Sequence, residues 1–95
     1  MALLDLLGRR WVLRIIWELH QAGHHPLTFR TLQADCAGMS SSVLSRRLAE
    51  LRTAQLVEKT GGGYALTETG AELVESLQPT LEWSARWARV LERSR

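Results

Sequence analysis

The chain has 95 residues, 45% of them hydrophobic and only two of them proline, a composition of one globular domain rather than a disordered or fibrous chain. A lone cysteine, Cys36, excludes an intrachain disulfide and a Cys-rich zinc site. No apolar run approaches the roughly 18 residues of a membrane span, and the start MALLDLLGRRW has no leader-like order, so the expected location is the cytoplasm, with no membrane partner.

The formal charge is only +2, yet it is unevenly spread. Residues 1–60 hold eight Arg/Lys against five acids, whereas residues 61–95 hold four against five. An arginine-rich basic side suits a phosphate-bearing partner. At this length roughly 60–65% of the unfolded surface is buried on folding, which leaves room for a partner surface.

In chain order, Met1 to Leu7 predicts a short helix closed by Gly8. The pattern WVLRIIWELHQ then places Val12, Leu13, Ile15, Ile16 and Leu19 at helical spacing, with Trp11 and Trp17 alongside. Gly23 ends that helix, His24-His25-Pro26 reads as a loop, and Leu27 as a very short strand. Thr28 is placed to cap a helix over FRTLQADC. A tight turn at Ala37-Gly38 leads to a helix over about 41–54, with Ser40 or Ser41 as its cap and Leu44, Leu48 and Leu51 as its core stripe.

Two short β-prone runs around Gly61-Gly62-Gly63 predict a hairpin over about 56–66. Thr67 or Thr69 is then expected to cap another helix, and Thr69 with Glu72 has the spacing of a capping box. Leu73, Val74, Leu77 and Leu81 carry that helix forward to Pro79, which either kinks it or starts a separate last helix ending near Arg93. Helices joined by a short glycine turn and followed at once by a hairpin form the layout of a winged helix-turn-helix, mainly α with a small β-hairpin.

With these segments in place, the chain resembles the HxlR-type regulators, winged-helix bacterial transcription factors related in fold to the MarR proteins. The resemblance is carried by LLGRRWVLRIIWEL, LTFRTLQ, GMSSSVLSRRLAELRTAQLV, YALTETGAEL and LEW, and it covers nearly the whole chain as one domain. It implies duplex-DNA binding, transcription regulation as repressor or activator, and a homodimer held by the terminal helices. Three departures stand out. Family members often carry a Cys just before the first helix, which this chain lacks. Gln55 stands where the family has a glycine before the Leu-Val strand, so that turn is expected to be built differently. Thr28 replaces a basic residue, and Lys59 is the only basic residue of the wing.

At about 100° per residue from Leu44, the residues Ser42, Arg46, Ala49 and Thr53 point away from the core, with Ser45 on the shoulder. Small side chains let such a helix sit deep in a major groove, where Arg46 pairs bidentately with a guanine edge. Arg47 lies beside the core stripe and is directed at a phosphate or a neighbouring carboxylate. Ser40 or Ser41 satisfies an amide at the helix start, and the other serines, Ser42 and Ser45 with them, are placed with those amides to hold a phosphate oxygen. Arg30 and Lys59 are further phosphate candidates, each equally well read as ordinary surface.

Trp83 and Trp87 stand four apart in the last helix with Leu91 continuing their side, and Leu3, Leu4 and Leu7 line the first. A domain this small has little core to cover them, so a two-fold dimer interface is expected, with a cleft suited to a small aromatic or redox effector. His20, His24 and His25 give no complete metal set, Cys36 occupies an apolar helical position, and no cofactor or catalytic constellation emerges. Two rival readings are a protein–protein winged-helix module and a metal- or ligand-responsive sensor.

Overall fold

The computed structural model describes residues 2–94, so Met1, which the sequence puts in the first helix, lies outside them. The elements run α1 (Ala2–Leu7), α2 (Val12–Gln21), α3 (Phe29–Asp35), α4 (Ser41–Thr53), β1 (Val57–Thr60), β2 (Gly63–Leu66) and α5 (Glu68–Arg93). The core is one cluster in which Val12, Ile15, Ile16 and Leu19 of α2 meet Leu32, Cys36, Leu44, Leu48, Leu51, Val57 and Val74. Each of those leucines, isoleucines and valines stabilises the fold by about 1.5–3 kcal/mol through burial.

The α2 helix begins one residue later than its apolar pattern. Trp11 adopts φ 78°, a left-handed conformation costly for a bulky residue, and offers no side-chain cap. The α3 cap is the expected one, with the Thr31 amide donating to Thr28 Oγ1 at 3.2 Å. Gly38 turns the chain at φ 93°, where a side chain would strain the backbone, and so aims α4 away from α3.

The hairpin pairs Val57 with Leu66 and Thr60 with Gly63, leaving Gly61-Gly62 as a two-residue turn. Leu27 adds the expected short strand: its amide donates to the Tyr64 carbonyl at 2.9 Å, and the Tyr64 amide donates back at 2.8 Å.

One open choice is resolved and three local expectations are corrected. Thr67, not Thr69, caps α5, because its hydroxyl accepts from the Gly70 amide at 3.0 Å and also donates to the Gln55 carbonyl at 2.6 Å. Thr69 is inside the helix, so the Thr69–Glu72 capping box does not form. The helix also runs unbroken through Pro79, which forfeits a single bond to the Glu75 carbonyl. Gly70 is required by close approach, since a Cβ there would strike the Leu56 carbonyl.

The turn after α4 is the third correction. Gln55 takes φ 62°, the conformation a glycine would take, and the end of α4 closes as a Schellman motif. The Leu56 amide donates to the Leu51 carbonyl and the Gln55 amide to the Arg52 carbonyl, both at 3.0 Å. Burial of Leu51 and Leu56 holds this geometry despite the left-handed penalty of about 1–2 kcal/mol. Gln55→Gly therefore raises stability by about 1 kcal/mol, which calorimetry reads as a melting point roughly 4–8 °C higher. An unchanged melting point would mean that Gln55 carries no strain.

Candidate nucleic-acid interface

Helix α4 is built to protrude. Ser40 caps it, its Oγ accepting from the Val43 amide at 3.2 Å. The apolar stripe Leu44, Leu48 and Leu51 is buried, while Ser41, Ser42, Ser45, Arg46, Ala49, Arg52 and Thr53 are exposed. Only Ser40 and Ser42 touch among the serine hydroxyls, at 3.3 Å, so Ser41 and Ser45 keep theirs for solvent or a partner.

The two sides of this crest differ. Ser41, Ser45 and Arg52 share the flank toward the wing. There α4, β1 and the start of α5 enclose an open groove of about 770 Å³ lined by Arg52, Thr53, Lys59 and the acids Glu58 and Glu68. Lys59 is exposed on β1, its Nζ 5.8 Å from the Tyr64 ring centroid. Arg30 is exposed in the first turn of α3. Neither Arg30, Arg46 nor Lys59 forms an ion pair among the described residues.

The opposite flank is occupied. Arg47 donates from Nη1 to both Glu50 oxygens at 2.9 and 3.1 Å, and from Nε to the Arg10 carbonyl at 3.0 Å. Of the two partners open to Arg47 in the sequence, it takes the carboxylate. Arg9 Nη1 meets the same Glu50 oxygen at 2.9 Å. Burial pushes the Glu50 carboxyl upward, but hydrogen bonds and charge from Arg9 and Arg47 outweigh it and hold the group below its ordinary value. The adjacent arginines thus separate: Arg46 is exposed and Arg47 is tied into the domain.

Arg52 is the residue the helical wheel overlooked. It stands two turns from Ser45 on the same flank, the shoulder of the helix that the wheel gives to Ser45 alone.

The terminal helices carry the exposed apolar surface. Leu3, Leu4, Trp83, Trp87 and Leu91 are all exposed, and the Trp83 and Trp87 rings stack at 5.7 Å with planes 6° apart. Leu7 is half-buried against the monomer core, so it belongs only in part to that surface.

Cys36 is fully buried in the core; burial, with the charges of Glu18 and Asp35, pushes its thiol up. His20 packs against the Trp17 ring at 5.6 Å. No group of His, Cys, Asp and Glu among the described residues has metal-binding geometry. No helix among them is long and apolar enough to cross a membrane.

Residues 6–92 match the HxlR-like helix-turn-helix family. An uncharacterised HTH-type transcriptional regulator of Methanocaldococcus jannaschii is 27% identical over 88 residues, covering 92% of this chain and 83% of that protein. A possible HxlR family transcriptional factor from Thermoplasma volcanium superposes with TM-score 0.83 at 35% identity, over 94% of this chain and 84% of the other. Quinone-bound YodB from Bacillus subtilis superposes with TM-score 0.81 at 30% identity, over 90% of this chain and 93% of that one. Family, fold and exposed helix agree: the chain belongs to the HxlR-like helix-turn-helix family, whose members are transcriptional regulators and not enzymes.

Proposed function

We propose that the protein is a homodimeric regulator that binds a near-palindromic operator, with α4 in the major groove and the β1–β2 wing on the flanking backbone. The observation that carries this reading is the crest of α4, where Arg46 is exposed among serines and Ala49 and forms no ion pair among the described residues. Arg46 reads a guanine edge. Ser41, Ser42, Ser45 and the capped start of α4 lie along a phosphate, and Arg30, Arg52 and Lys59 add backbone contacts.

A homodimer is supported by the second half of α5. Leu81, Trp83, Trp87, Val90 and Leu91 are all exposed, and a lone helical segment of that length is marginal in water. Pairing across a two-fold axis covers this stripe together with Leu3 and Leu4, and sets two copies of α4 about 34–36 Å apart.

The quinone on YodB makes a small, flat, redox-active ring the effector class to consider. The apolar cleft between α2 and α5, lined by Leu13, Trp17, Val74 and Leu81, measures only about 60 Å³. An apolar cavity that accepts benzene is about 150 Å³, so an effector of this kind needs the wider cleft that a second copy would complete.

The test is selection of bound fragments from the source genome, followed by titration at several salt concentrations. The expected result is a sequence-selective complex whose affinity falls steeply with salt, as phosphate contacts require. Binding no better than to random DNA would reject this reading in favour of a protein-contact module.

A further inference from the structure

The α1 helix and the α4 helix do not pack on one another closely. Between them lies an open groove of about 650 Å³, lined by Leu3, Leu6, Arg9, Arg46, Ala49 and Ala54 among others. Leu6 and Leu7 seat α1 on the core, but across this groove little direct packing sets the helix that bears Leu3 and Leu4 against the helix that bears Arg46. What joins them is the linker over residues 8–11, and that linker is gripped at three points. Glu50 holds Arg9 at 2.9 Å, Arg47 holds the Arg10 carbonyl at 3.0 Å, and the Trp11 ring reaches the α3–α4 turn beside Gly38. The left-handed Trp11 is the mark of a linker held in place by its surroundings, because a strained residue persists only where neighbours over-determine it.

We infer that Glu50 is a positioning residue for operator recognition: its carboxylate clasps Arg9 of the linker to Arg47 of α4 and so fixes the reading helix relative to the association helix. The inference rests on the proposed dimeric, operator-binding function and deepens it. In the proposed dimer α1 adds Leu3 and Leu4 to the surface on α5, so this angle contributes to the separation of the two reading helices. Half-site spacing is then enforced by a carboxylate that never touches DNA. Nonspecific binding depends on charge and not on helix separation, so the clasp acts on selectivity.

Arg9→Ala and Glu50→Gln test it with opposite charge changes. A purely electrostatic effect moves random-DNA affinity down in the first and up in the second. A positioning effect lowers the ratio of operator to random-DNA affinity in both, by roughly tenfold. Both variants also lose the wild-type penalty for an operator whose half-sites are moved by one base pair, and Arg9→Lys, which keeps the ion pair, retains it.

The clasp is overturned if both variants keep wild-type selectivity and spacing preference, or if they weaken operator and random DNA equally. Arg9 is half exposed, so if Glu50→Gln fails to show a native melting transition, Arg9→Ala decides alone. A wild-type protein that does not discriminate its selected fragments from random DNA overturns the proposed function and the clasp together. Failure confined to the variants overturns the clasp only.

Discussion

Arg46→Ala is expected to weaken operator binding by about 1–3 kcal/mol, a loss of roughly fivefold to 150-fold, and to flatten the preference at one base pair in each half-site. Arg46 is exposed and has no acidic partner among the described residues, so its removal leaves no orphaned group and the fold is unaffected. The comparison variant is Arg52→Ala. If Arg52 contacts only backbone, its loss lowers affinity uniformly across sequences and reduces the salt slope by about one. Fluorescence titration on a panel of single-base operator variants separates the two patterns. An unaltered base profile for Arg46→Ala would remove it from the reading face and shift attention to the serines beside it.

The parts of this site that were readable in the sequence are the local ones. A capping serine, a leucine every third or fourth residue and a glycine turn all act within a few residues, so the start of α4 and its outward face follow from spacing alone. What was not readable depends on groups brought together by folding. The wheel sets Arg47 on the flank of α4, but only the tertiary structure brings the Arg10 carbonyl, 37 residues away, to its Nε. Thr67 and Thr69 are equal candidates for a cap until the Gln55 carbonyl, 12 residues back, takes the Thr67 hydroxyl.

Gln55 shows the same limit from the other side. Its missing glycine implies a different turn, yet the conformation is kept, because burying Leu51 and Leu56 outweighs the modest left-handed cost. The continuous α5 has the same origin. One bond lost at Pro79 is small beside a helix whose first half is anchored on the core through Gly70 and Val74.

The second large effect concerns the far half of that helix. Trp83 and Trp87 are 52% and 50% exposed, so each leaves on the order of 100 Å² of ring on the surface. Burying that area stabilises an interface by about 2–3 kcal/mol per ring, and two-fold symmetry doubles the effect of every substitution. The double variant Trp83→Gln, Trp87→Gln therefore converts the dimer to monomer at micromolar concentration, read by sedimentation as a halved mass. Neither ring belongs to the monomer core, so a cooperative melting transition and most of the helical circular dichroism persist, which separates dissociation from unfolding. Operator affinity falls with association, because one half-site no longer holds the second at a high effective concentration. The expected loss is on the order of a hundredfold or more, with a smaller loss of random-DNA affinity from the halved number of phosphate contacts. A wild-type protein that sediments as a monomer at these concentrations, or a double variant that stays dimeric, would show that the exposed stripe on α5 covers something other than its own copy.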